Sequence, residues 1–219
     1  MHQAEASWIF SRLAAIEPSQ LTPMLNIGSS TLGFRTQDQP WIDRDLIKPL
    51  EALGIDIVHV DLKSGPGIDV TADLTTEDGH RKLAGIGARS VMICNVLEHV
   101  IDPRSFAARC LALVRPQGFA VVTVPHSYPH HRDPIDTMYR PTPEEAASLF
   151  ARTTVVAAEI INMGSYRNHV RARPWILLRH VFRAPFPFLG WKKWKRSMGK
   201  LYWLVYPYRL TCVVLQKVD

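Results

Sequence analysis

Short apolar runs rich in valine and isoleucine recur along this chain, separated by stretches in which apolar residues fall three and four positions apart. The first pattern is that of buried strands and the second that of amphipathic helices, and their alternation marks successive βαβ units feeding a parallel sheet. The strands expected are Met24–Ile27, Ile55–Val60, Ser90–Cys94 and Phe119–Val124, with a weaker one at Ile68–Val70 beside the Gly65-Pro66-Gly67 turn. Thr153–Ile161 and Leu210–Gln216 are placed to close the sheet. Between the strands, Ile42–Leu53 carries Ile42, Leu46, Leu50 and Leu53 at helical spacing and stops at Gly54, as a crossover helix does. Pro103–Val114 repeats that pattern, and Pro143–Phe150 opens with Thr142 as N-cap, Pro143 at the first helical position and two glutamates in the first turn. The architecture expected is α/β, a doubly wound, mostly parallel seven-stranded sheet. Its parts are an N-terminal helix in residues 1–22, the sheet domain in 23–162, a closing strand in 210–219, and an appendage of different character in 163–209.

Composition adds limits. A chain of 219 residues has room for one α/β domain and a modest appendage, and is cramped for two full domains. Cys94, Cys110 and Cys212 are odd in number and form no CxxC pair, so neither a disulfide framework nor a zinc site is indicated, and a reducing compartment, the cytoplasm, is expected. The N-terminus does not read as a signal peptide, and no run approaches the roughly 20 apolar residues of a spanning helix. Charge is uneven: residues 1–159 hold 14 Lys+Arg against 19 Asp+Glu, whereas 160–218 hold 12 Lys+Arg and no acid, so the net +6 belongs to the C-terminal third.

Candidate chemistry gathers at the strand ends. The first strand runs into Asn26-Ile27-Gly28-Ser29-Ser30-Thr31-Leu32-Gly33, a small-residue turn that lets a ligand approach the backbone, although such a loop by itself is also an ordinary turn. The second strand ends in Asp61, where a carboxylate can accept both hydrogen bonds of a ribose diol, and loop and acid together make a nucleoside site. Asp73 follows the next strand and is placed either to accept from an adenine amino group or to serve as a solvated turn residue.

Leu97-Glu98-His99-Val100, with Asp102-Pro103 behind it, follows the fourth strand, and Leu113-Val114-Arg115-Pro116-Gln117-Gly118 precedes the fifth. With the glycine loop and Asp61 in the same order, this set resembles the class I S-adenosylmethionine-dependent methyltransferases, in the branch with ubiquinone-type and small-molecule members, over residues 23–161. The resemblance implies a Rossmann-like fold and S-adenosyl-L-methionine as cofactor. It places Gly28 with its neighbours Asn26, Ser29 and Ser30 at the methionine part, Asp61 at the ribose, Asp73 with Leu74 at the adenine, and Asn95 on the cofactor from the fourth strand. It also makes His99 a candidate base or acceptor-orienting group, the alternative being a histidine that only packs its helix. Asn26 stands where the family has an acid, Ser30 where it has a second glycine, and Gly33 is displaced from the third.

After the fifth strand comes His126-Ser127-Tyr128-Pro129-His130-His131, leading to Tyr139-Arg140. This segment lies at the carboxyl edge, where open α/β sheets bind ligands. His126 is a second candidate catalytic group, and His130, His131, Tyr139 and Arg140 are candidates for the acceptor side. Three histidines with Asp133 and Asp136 crowd one proline-rich loop without a recognised metal spacing, so no metal is expected. From Arg167 to Arg209, cations interleave with Trp175, Phe182, Phe186, Phe188, Trp191, Trp194, Tyr202 and Trp203, between breaks at Pro174, Pro185 and Pro187. Contact with an anionic membrane surface, a substrate lid or dimer arm, and nucleic-acid binding are all open for this stretch. The function expected is methyl transfer to oxygen of a small-molecule or lipid-linked glycan acceptor. A non-catalytic methyltransferase-like scaffold and an RNA methyltransferase are the alternatives.

Overall fold

Leu25, Val91, Ala120 and Val121 have no solvent exposure, and strands buried on both faces read as continuous apolar runs because helices cover each side. The computed structural model describes residues 1–130, 135–186, 188 and 190–218, without the side chains of His169 and Arg196. The chain forms two compact units: Met1–Ile161 with the chain from Leu210 onward, and Asn162–Arg209.

In the first unit, α1 (Gln3–Leu13) and the one-turn α2 (Pro18–Leu21) lead into β1 (Met24–Ile27). Two π-wound segments, Phe34–Asp38 and Asp43–Ile47, precede the short α3 (Lys48–Ala52). β2 (Ile57–Asp61), β3 (Val70–Thr71), α4 (Glu77–Ala84), β4 (Ser90–Cys94), α5 (Pro103–Ala112), β5 (Phe119–Ser127), α6 (Pro143–Ala147) and β6 (Thr153–Asn162) follow. The crossover helix expected over Ile42–Leu53 is thus split. Pro49 has no N–H for the i→i−4 ladder, and the turn before it widens to i→i+5, with Lys48 N donating to the Asp43 carbonyl. Caps set the other helix starts: Thr76 accepts from Gly79 N, Asp102 from Ser105 N, and Thr142 from Glu145 N in a capping box.

β7 (Arg209–Lys217) completes a seven-stranded sheet in the order β3-β2-β1-β4-β5-β7-β6. β1 to β5 are parallel, with Ile27 opposite Val60 on one side and Ile93 on the other. β7 runs against its neighbours: Gln117 N donates to Lys217 O at 3.1 Å beside the start of β5, and Val218 N to Arg152 O at 2.9 Å beside the start of β6.

The second unit holds α7 (Tyr166–Ala172), α8 (Trp175–Arg183) and α9 (Trp191–Val205). Its middle is polar. The Tyr166 hydroxyl and His180 Nε2 are 2.9 Å apart, and His180 Nδ1 and Ser197 Oγ 2.7 Å, all three residues being buried. Pro174 starts α8, and the helix ends before Pro185, so these two expected breaks fall between helices, while Pro187 lies outside the described residues.

Candidate active site

The strand order reverses at β1, which lies between β2 and β4, and the crevice beyond the carboxyl ends of β1 and β4 is where open α/β sheets hold ligands. Gly28 opens the turn after β1 with φ +71°, and a Cβ there would stand 2.6 Å from Val96 Cγ2, so both the backbone angle and the space require glycine. Gly28 N and Ser29 N both donate to the Val60 carbonyl, at 2.8 and 3.1 Å, binding the turn to the end of β2. Ser30 adopts φ +55° as a non-glycine residue, held there by its own N–H, which donates to Asp61 Oδ2 at 2.8 Å.

Asp61 Oδ1 accepts from Lys63 N at 3.0 Å. Each carboxylate oxygen thus carries one backbone N–H and keeps a further lone-pair direction, enough for a diol. Asp73 directs Oδ1 to the N–H and hydroxyl of Thr75, at 2.9 and 2.6 Å, in the turn before α4. Leu74 is buried in the apolar core with Leu83 and Ile93. Asn26 is also buried, and its Nδ2 lies 3.1 Å from Nδ1 of His59, its register partner on β2. Asn95, at φ +54°, donates through Nδ2 to Glu5 Oε1 at 2.7 Å.

His99 Nδ1 is hydrogen-bonded to the Ile135 carbonyl, which fixes it as the donor nitrogen, so the lone pair of the neutral ring is on Nε2. That Nε2 lies 3.8 Å from Glu98 Oε1. Glu98 is fully buried, neither carboxyl oxygen has a hydrogen-bond partner among the described residues, and burial pushes its pKa up to about 8. His126, near the end of β5, donates from Nδ1 to the Pro141 carbonyl at 3.0 Å. Arg140 pairs with Asp136 Oδ2 at 2.7 Å and donates to the Tyr139 carbonyl at 3.0 Å, bracing the segment. Burial raises the Tyr139 phenol above its ordinary value. His130 is exposed, and His131 lies outside the described residues, as does Asp133. Among the described residues no group of three or more His, Cys, Asp or Glu is placed to hold a metal ion.

Two contributors escape sequence reasoning. Arg35, from the first π-wound segment, is 2% exposed and donates to the carbonyls of Ser29, Ser30 and Gly67 at 3.2, 2.5 and 2.8 Å, clamping the glycine loop to the turn after β2. Glu5, from α1, is fully buried and reaches the carboxyl edge, where it accepts from Asn95 and from Thr123 Oγ1 at 2.6 Å. At the start of α1 the His2 ring meets Tyr128 edge-on, with centroids 5.8 Å apart, so α1 spans from β4 to the segment after β5.

No protein-family model matches the sequence, and no curated protein matches it. Solved structures do match in fold. Coclaurine N-methyltransferase bound to N-methylheliamine and S-adenosylhomocysteine superposes with a TM-score of 0.59 at 12% identity, covering 98% of this chain and 70% of that one. The 1,6-didemethyltoxoflavin-N1-methyltransferase of Burkholderia thailandensis, with bound 1,6-didemethyltoxoflavin and S-adenosylhomocysteine, gives 0.51 at 14% identity, covering 99% and 78%. The fold of this chain is therefore the Rossmann-like fold of S-adenosylmethionine-dependent methyltransferases, as its strand order requires.

Proposed function

We propose that this chain is an S-adenosylmethionine-dependent methyltransferase acting on a small-molecule acceptor. The observation that carries the reading is the joined turn at the β1/β4 switch point: Gly28 leaves room at Val96, and its neighbour Ser30 donates to the strand-end carboxylate Asp61. The second feature fits a nucleoside cofactor by keeping acceptor capacity for a ribose diol, and the first seats the turn tightly against Val96 at the mouth of the crevice. Bound there, the cofactor supplies an electrophilic methyl group, and the protein's task is alignment of the acceptor and removal of its proton. His99 is the base proposed for a hydroxyl acceptor, because its Nδ1 is committed to Ile135 and Nε2 carries the lone pair. Arg140, held by Asp136, fixes the segment proposed to form the acceptor side.

Transfer to oxygen of a lipid-linked glycan is the finer reading. It is supported by the second unit, where Arg179, Phe182, Arg183, Phe186, Gly190 and Trp194 line a cleft of about 400 Å³ suited to an anionic, amphiphilic partner.

Calorimetric titration with S-adenosylmethionine and S-adenosylhomocysteine tests the cofactor assignment. Saturable binding that Asp61→Ala weakens by about tenfold or more is expected from the loss of charge-assisted hydrogen bonds. Folded protein that binds neither ligand would overturn the reading in favour of a non-catalytic scaffold, which the side chain at Ser30 favours.

A further inference from the structure

The charge of Glu5 is not explained by the helix that carries it. Glu5 closes a capping box at the start of α1, its Oε2 accepting from His2 N at 2.9 Å, and glutamine serves that box as well as glutamate does. The second oxygen crosses to the sheet and accepts from Asn95 Nδ2 and Thr123 Oγ1. These donors are neutral. They give both oxygens N–H or O–H donors, the pattern a carboxylate takes, in a place closed to water, and no Lys, Arg or His side chain forms an ion pair with it among the described residues. An unbalanced buried carboxylate is costly and calls for a cation.

The position of that charge names the cation. Ile27 pairs with Ile93 at the ends of β1 and β4, so Asn95, two residues past Ile93, follows β4 at the same carboxyl edge as the glycine turn, and Glu5 is held on Asn95. The second buried acid of this edge, Glu98, keeps its proton to about pH 8, with Glu5 among the charges that raise it.

We infer that Glu5 is a positioning residue that balances the positive charge of the cofactor, so that the site prefers the sulfonium form to the neutral thioether product. The inference rests on the methyltransferase reading above and adds to it that α1 belongs to the cofactor site. A preference of this kind favours loading of the donor and release of the spent product.

The experiment is calorimetric titration of wild type, Glu5→Gln and Thr123→Val with S-adenosylmethionine and S-adenosylhomocysteine, with circular dichroism as the check on folding. Glu5→Gln is expected to weaken S-adenosylmethionine by about tenfold while S-adenosylhomocysteine changes by no more than about twofold. Thr123→Val loosens the same carboxylate without neutralising it, and the ratio of the two affinities stays at the wild-type value. Equal losses for both ligands in Glu5→Gln would show that Glu5 only fastens α1, and would overturn the inference. Should Glu5→Gln fail to fold, wild type decides alone: an analogue with an ammonium group in place of the sulfonium must bind more tightly than S-adenosylhomocysteine, and equal affinities overturn the inference. Wild type that binds none of the ligands removes the methyltransferase reading itself, a different result from loss of selectivity.

Discussion

Asn26 and His59 sit opposite each other on β1 and β2, and the 3.1 Å contact between them makes the Asn26 amide the donor and His59 Nδ1 the acceptor. The ring is therefore neutral, and burial, followed by the nearby Arg35 charge, holds its pKa down to about 4. A carboxylate at position 26 has no proton to donate, so the imidazole would have to carry one. Asn26→Asp is expected to raise the His59 pKa above its ordinary 6.5, read from the pH dependence of the ring-proton shifts; a ring that still titrates near 4 would refute the pairing. Glu98 has the opposite shift, upward from 4.5 to about 8. For a raised folded pKa, the stability contributed by the neutral carboxyl is fully present below pH 4.5 and is lost as the pH rises through about 8. Glu98→Gln keeps the shape without the ionisation, so thermal melts should show the variant gaining on wild type across that interval, by an amount of the order of a few kcal/mol at the alkaline end. A constant difference across the interval would mean that Glu98 does not titrate there.

At the scale of elements, what was legible in the sequence is what is local. β1, β4 and β5 announce themselves because burial on both faces demands mostly apolar runs, and α5 and α6 because a capping Asp or Thr followed by proline starts them. The glycine turn and Asp61 were legible for the same reason, since a strand end and a tight turn are written in neighbouring residues. α4 was not, because Glu-Asp-Gly-His-Arg-Lys-Leu-Ala buries only Gly79 and Leu83 and so shows no apolar stripe. The split at Pro49 was missed because the apolar spacing runs through it unchanged while the backbone hydrogen bonds do not. Glu5 lies 90 residues from Asn95 and 118 from Thr123, and Arg35 is 32 from Gly67. No periodicity encodes a hydrogen bond across such separations; only the folded sheet brings these groups together.

At the scale of the whole molecule, the second unit inverts the usual distribution of polarity. It buries His180 and Ser197, while Trp175, Phe182, Phe188 and Trp191 are 63, 73, 75 and 60% exposed. Trp175, Leu178, Val181 and Phe182 form one exposed stripe along α8, and residues 160–218 carry 12 cations and no anion. Like charge opposes pairing of two such surfaces, and large exposed apolar area in water is unfavourable, so a partner with an anionic surface and an apolar interior fits both features. No helix among the described residues is long and apolar enough to cross a membrane. Flotation with vesicles should therefore show binding to anionic bilayers, little binding to neutral ones, and release by high salt. Replacing Lys192, Lys193 and Lys195 with glutamine should weaken binding by about a hundredfold, at roughly 1 kcal/mol for each cation near the surface. Trp175→Ser with Phe182→Ser should weaken it without changing the salt dependence, because those side chains enter the interface without charge. Protein that ignores anionic vesicles but binds single-stranded RNA with a steep salt slope would transfer this surface to a nucleic-acid partner, whose phosphates meet the same cations and whose bases stack on the same rings.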